Sequence, residues 1–283
     1  MGARFTEVAD RVWVARYPWY DVNVTAIGGS DGLVVVDTHA SDRAAREVVS
    51  DVRAIGAGPV TAVVNTHEHF DHTFGNATFL DAWGDLPIHA HEVAAARTTA
   101  AGQRIKEAFA ASGDPHAPEV EETRIVPATV TFSSARVLDL GDRAVELIHP
   151  GRGHTGGDVV VSVPDAGVLL AGDLVEESGP PSFGEDCYPL EWAATLDLVL
   201  QLVRPDGVVV PGHGRPVDRD YVQAQRVDLG IVAETIRGLA ASGTPVAQAW
   251  AAAEWPYAEE VLAAAITRGY DQLPRGGRRL PLA

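Results

Sequence analysis

The sequence predicts an α/β chain in which two β-sheets pack face to face beneath outer helices. Three observations carry this expectation. Short β-branched runs recur between Gly, Pro and Asn turns, amphipathic stretches alternate with them, and cation-binding side chains stand where several runs end.

Taken in order, Arg11 to Tyr17, Val22 to Ile27 and Leu33 to Val36 read as an antiparallel meander, with Gly28-Gly29-Ser30-Asp31-Gly32 as a turn. From Ser41 to Ile55, Ala44, Ala45, Val48, Val49 and Val52 fall on one face of a helix capped by Ser41 or Asp42. Val60 to Val64 is a strand ending at Asn65-Thr66, directly before His67-Glu68-His69-Phe70-Asp71-His72. Ala144 to Ile148 leads into His149 to His154, Val168 to Ala171 into Gly172-Asp173, and Val208 to Val210 into Pro211-Gly212-His213-Gly214. Loops at strand ends are where ligands from separate strands converge. Glu92 to Ala111 and Leu190 to Val203 read as helices, and Asp114 to Glu122 as a Pro/Asp/Glu-rich connection. Beyond Asp218 the pattern is helical, with Tyr221 to Ser242, Pro245 to Trp250 and Tyr257 to Tyr270 as pieces, before an Arg/Gly/Pro tail from Pro274 that is expected to be loosely ordered.

With 283 residues, 46% hydrophobic and 22% charged, the chain can bury a large core. The formal charge of −17 repels phosphate backbones and anionic bilayers, so neither nucleic acid nor a membrane is an expected partner. Cys187 is the single cysteine, which excludes an internal disulfide. No apolar leader opens the sequence and no apolar run reaches eighteen residues, so a cytoplasmic location is expected.

The segment His67 to His72 offers four potential ligands in six residues. Imidazole nitrogen and carboxylate oxygen suit a borderline-soft divalent cation such as zinc. Alternating His67 and His69 can face one ion while Asp71 and His72 face a second, the arrangement of a two-metal centre. The HExxH spacing of a zincin helix is absent, since the histidines here are two apart. Glu68 then reads as a solvated spacer, and His39, His89, His91, His116 and His149 as ordinary packing or surface residues. Cys187 has no histidine partner in a nucleophile motif.

His67-Glu68-His69-Phe70-Asp71-His72 resembles the HxHxDH signature of the metallo-β-lactamase superfamily. Gly153-His154-Thr155-Gly156-Gly157-Asp158, Ala171-Gly172-Asp173 and Pro211-Gly212-His213-Gly214 resemble its later metal motifs, in family order. The resemblance implies a four-layer αββα sandwich, with residues 1–217 as the catalytic domain and 218–283 as a helical extension packed on it. It assigns His67, His69 and His154 to one ion, Asp71, His72 and His213 to another, and Asp173 as the bridge. The implied cofactors are two divalent ions, zinc foremost, with iron or manganese compatible. The resemblance further implies that a hydroxide shared by the ions would attack an acyl carbon, with Asp71 to orient it. Asp37, Thr66 and Asp158 are candidates to support the ligand rings. Trp19, Tyr20, Phe183 and Tyr188 are candidates for the pocket wall, against ordinary packing.

Within that resemblance, the bridging Asp173 favours thioesterase-like and lactonase-like hydrolases over true β-lactamases, which lack that carboxylate. No basic cluster of the kind that holds glutathione occurs before Arg275 to Arg279. The expected activity is hydrolysis of an ester, thioester or lactone of a small molecule by a monomer or homodimer. The alternatives are β-lactam hydrolysis, a mononuclear iron persulfide dioxygenase, and a metal-binding protein without turnover.

Overall fold

The computed structural model describes residues 4–274; the tail after Pro274, with Arg275 to Arg279, lies outside them. One sheet runs β1 (Thr6–Ala9), β2 (Val12–Tyr17), β3 (Val22–Gly29), β4 (Gly32–Val36), β5 (Val60–Val64), β6 (Ile88–His91) and β7 (Val130–Phe132). The other runs β12 (Val208–His213), β11 (Val168–Glu176), β10 (Val160–Val163), β9 (Ala144–Ile148) and β8 (Ala135–Asp139), and the β3–β12 pairing joins the two into one continuous ladder that folds over on itself. The expected meander from β2 to β4 is antiparallel, whereas β4, β5, β6 and β7 pair in parallel through helical crossovers.

Strand alternation separates the layers. Val12, Val14, Ile27, Val34, Val36 and Val64 of the first sheet meet Val145, Leu147, Val161, Leu170 and Val210 of the second in one buried cluster, so the sheets pack face to face. The opposite face of the first sheet, through Ala15, Val24, Val35 and Val63, is covered by Val48, Val49 and Val52 of α1 (Asp42–Ile55) and Phe79 of α3 (Asn76–Trp83). Ser41 caps α1 by accepting from the Ala44 N–H at 2.9 Å, and Gly56 ends it at φ 72°. The outer face of the second sheet, through Val160, Leu169 and Ala171, is covered by Trp192 and Leu196 of α6 (Trp192–Leu202). Leu229, Val232 and Ile236 of α7 (Arg219–Ala241) and Leu262 and Ile266 of α8 (Glu259–Gln272) belong to that same cluster. This is the αββα sandwich.

Several details differ from the expectation. The Glu92 to Ala111 helix extends to α4 (Glu92–Ser112), and the acidic connection after it contains the short α5 (Ala117–Glu122), with a proline in its first turn. Pro245 to Trp250 supports only brief 3₁₀ turns, Val246–Gln248 and Trp250–Ala252. Strand β11 does not stop at Ala171; register shifts near Gly172 let it continue through Asp173 to Glu176.

The sheets are fastened to each other at both ends. At one end His213 pairs with Val22, and the buried Asn23 amide donates to the carbonyls of Pro211 and Gly214 at 2.9 and 2.8 Å. At the other end Arg143, fully buried, donates to the Gly28 carbonyl at 3.1 Å, to Asp165 at 2.8 Å and to Asp10 at 3.0 Å. Removing the buried guanidinium strands the Gly28 carbonyl, while Asp10 and Asp165, both exposed, return to water. Arg143→Ala is expected to cost about 2 kcal/mol of stability, read as a lower urea midpoint; a midpoint equal to that of the parent protein would show that the clamp carries no load.

Candidate metal centre

The motif after β5 is an extended loop followed by one helical turn. His69 is extended (φ −68°, ψ 151°) and leads into α2 (Phe70–Thr73). Alternation in the extended part sends His67 and His69 the same way, and the helical turn redirects Asp71 and His72. His154 arrives on the loop after β9, Asp173 from within β11, and His213 as the last residue of β12. Ligand atoms of His67, His69, His154 and Asp173 lie within 4.8 Å of one another, as do those of Asp71, His72 and His213. All seven motif residues therefore come together, in two adjacent clusters.

Each ring is pinned from outside. Nδ1 of His72 donates to Asp37 Oδ2 at 2.8 Å, Nδ1 of His154 to the Ser182 carbonyl at 2.9 Å, and Nδ1 of His213 to the Tyr20 carbonyl at 2.7 Å. His69 uses Nε2 on Asp186 Oδ2 at 3.1 Å. The Thr66 hydroxyl donates to Asp37 at 2.8 Å, leaving its oxygen, 3.0 Å from His67 Nδ1, to accept from that ring. Carbonyl and carboxylate oxygens can only accept, so in each neutral ring the outer nitrogen holds the hydrogen and the inner one offers a lone pair.

Those inner atoms crowd together. His69 Nδ1 stands 2.8 Å from His154 Nε2, and His72 Nε2 stands 3.3 Å from His213 Nε2. Asp173 lies 3.2 Å from His72, 3.3 Å from His213, 3.4 Å from His154 and 3.7 Å from His67. Lone pairs facing each other at such distances need a proton or a cation between them. His67 Nε2 and Asp173 Oδ1 are buried without hydrogen-bond partners. This donor set fits divalent cations, and the clusters can hold metal ions.

The electrostatics show what the rings do without a cation. Burial pushes His154 down to about 4 despite Asp173, and holds His67 well below its ordinary value. Burial also opposes protonation of His213 and His69, but Asp173 lifts the first to about 10 and the Asp186 hydrogen bond lifts the second to about 9. Asp186, though buried, is pulled down to about 2 by His69. Gly212 permits the crowding: a Cβ there would stand 1.9 Å from Asp173 Oδ1.

Of the residues expected to support the rings, Asp37 and Thr66 touch them as described. Asp158 touches none of them. Its carboxylate accepts from Gly153 N, Thr155 N and the Thr155 hydroxyl at 3.0, 3.0 and 2.6 Å, so it fixes the loop that carries His154. Among the aromatic candidates, Tyr20 lines a cavity of about 400 Å³ at the clusters, together with Phe70, Ala101 and Ile105. Trp19 lines a neighbouring cavity of about 870 Å³, where it stacks on His116 at 3.9 Å. The pocket expectation is not met at Phe183, which is buried against Trp192 at 5.2 Å, nor at Tyr188, which lies beneath Arg152 at 4.3 Å and bonds the Gly153 carbonyl at 2.8 Å. Glu68 is not solvated: it is 1% exposed, burial raises its carboxyl, and Arg97 stands 3.5 Å away.

His39, His89, His91, His116 and His149 join neither cluster. His39 is buried beside Tyr17, His91 accepts from Val93 N at the start of α4, and His149 stacks on His91 at 4.0 Å. Four partners escaped the sequence reading. The carbonyls of Ser182 and Tyr20 have no residue signature. Asp186 carries only the weak signal of an acidic pair in a loop. Glu176 stands three residues after Asp173, which in a regular strand would point it to the other face; the register shift between Gly172 and Glu176 brings it to the same site. Burial and Asp173 push the Glu176 carboxyl up to about 9.

The sequence model of the metallo-beta-lactamase superfamily matches residues 17–213. A metallo-beta-lactamase type 2 from Bacillus cereus is 30% identical over 199 residues, 70% of this chain and 68% of that protein. A protein of the same description from Bacillus sp. (strain 170) is 31% identical over 199 residues, with the same shares of each chain. The solved structure of a metallo-beta-lactamase from Pontibacter korlensis superposes with a TM-score of 0.64 at 21% identity, covering 80% of this chain and 98% of that one.

The raised pKa values of His69 and His213 give a signed pH dependence. Both are held above the ordinary histidine value of 6.5, so in chelated protein their contribution is complete below 6.5 and is lost as pH rises through about 9 and 10. Urea midpoints of the chelated protein should therefore fall over that window as far as these groups decide, and zinc-saturated protein, whose rings are held without protons, should flatten the trend. Parallel slopes with and without zinc would contradict the assignment.

Proposed function

Because the chain belongs to the metallo-beta-lactamase superfamily, we propose that it is a metal-dependent hydrolase that opens an ester, thioester or lactone of a small molecule at a two-cation centre. The carrying observation is the pair of ligand clusters joined at Asp173, five of whose donors are imidazoles with their lone pairs aimed inward. Two divalent ions bound there, zinc by donor type, would supply a water of lowered pKa as nucleophile and an electrophile for the oxyanion.

The protein's own groups do the rest. Asp71 lies 3.3 Å from His213 Nε2 and lines the cavity, placed to orient the attacking water and take its proton. Tyr20, Phe70, Ala101 and Ile105 give the acyl group an apolar wall, and Ser178 and Ser182 complete the lining. A cavity of about 400 Å³ suits a small molecule. We propose no nucleic-acid or membrane partner. Among the described residues no helix is long and apolar enough to cross a bilayer.

A second reading is β-lactam hydrolysis, favoured by what the Bacillus relatives are called. Against it, among the described residues no Lys or Arg lines the cavity to hold a substrate carboxylate. A panel of thioesters, lactones and β-lactams decides between them, with turnover of the first two classes exceeding the third as the expected result. Higher turnover of β-lactams would reverse the assignment.

Mutants test the parts. Asp71→Asn should lower kcat by two orders of magnitude or more with KM little changed; equal loss in both would deny it a role in the chemical step. Asp173→Ala should reduce occupancy of both ions in protein purified without added metal, and undiminished metal content would exclude the bridge.

A further inference from the structure

Glu176 closes β11 and is held from both sides by α7. Its N–H donates to Gln225 Oε1 at 3.0 Å, its carbonyl accepts from the Tyr221 hydroxyl at 2.7 Å, and Gln225 also donates to the Leu174 carbonyl at 2.8 Å. The side chain, 7% exposed, lines the cavity, and its Oε1 is buried with no hydrogen-bond partner. A carboxylate oxygen so placed is costly unless a cation or donor meets it. Among the described residues no Lys or Arg lines the cavity, and the His213 ring is already committed to the Tyr20 carbonyl outside and to Asp71 and Asp173 inside. A Glu176 oxygen does lie within 4.8 Å of ligand atoms of Asp173 and His213. Donors sharing an ion at roughly 2.0–2.2 Å stand about 3–4 Å apart, so a small rotation of one side chain closes that gap.

We infer that Glu176 is a further cation-binding carboxylate, holding the ion of the Asp71, His72 and His213 cluster together with Asp173 and His213. The inference rests on the two-cation reading. It makes α7, which lies beyond the matched segment 17–213, the element that sets the strength of the second ion. It also places a negative charge against that ion on the cavity side, where an anionic substrate would otherwise approach.

Chelator-stripped protein titrated with Zn²⁺ by calorimetry, and with Co²⁺ by visible absorption, tests this without a substrate. The parent should take up two ions. Glu176→Gln should keep the first and weaken the second about 10- to 100-fold, with a changed Co²⁺ band. Tyr221→Phe leaves the carboxylate in place but removes one clamp, and should weaken the second ion several-fold. A second ion bound within twofold of the parent in Glu176→Gln, with an unchanged band, overturns the inference. So does equal loss of both ions in Glu176→Gln alongside a Tyr221→Phe protein that matches the parent. A parent that binds fewer than two ions overturns the two-cation reading itself.

Discussion

One buried carboxylate organises this molecule. Asp173 lies within 3.2 to 3.7 Å of four imidazoles, and their lone pairs also face one another. Such a cluster stands only if something positive occupies its middle and something rigid holds its periphery. The periphery is an unbroken set of acceptors: Asp37, Asp186, the Thr66 oxygen, and the carbonyls of Ser182 and Tyr20. Because the rings come from both sheets, these acceptors work only while the sheets keep their places. The His213 to Val22 pairing, with Asn23 beside it, is thus part of the same construction.

Much of this is legible in the sequence, for a physical reason. Metal donors are chemical types, so His67 to His72, His154, Asp173 and His213 announce themselves by identity and by position after β-branched runs. The layered fold is legible because alternation in strands such as β2 and β4 fixes which side chains face each sheet. What escapes depends on direction. Phe183 and Tyr188 have the composition of a pocket wall but turn toward Trp192 and Arg152. Glu68 looks like a solvated spacer and is buried, because the alternation that aims His67 and His69 at the ions drives the residue between them into the protein beside Arg97.

The same limit explains Glu176 and Asp158. A strand read with period two places Glu176 on the far face from Asp173, and only a local slip in register reunites them. Asp158 sits where an imidazole partner was expected, yet it accepts from backbone and hydroxyl donors of its own loop. Holding the loop and holding the ring are equivalent solutions to placing His154, and residue type does not distinguish them.

The two fastenings between the sheets have a consequence for how new specificities can arise on this scaffold. Arg143 locks one end of the seam and Asn23 the other, so the ligands sit in a jaw of fixed gape. Substrate preference then has little to gain from substitutions in the sandwich interior. It can be rewritten in the side chains that overhang the jaw, such as Tyr20, Phe70 and Ile105, while the backbone carbonyls of Tyr20 and Ser182 go on holding the His213 and His154 rings.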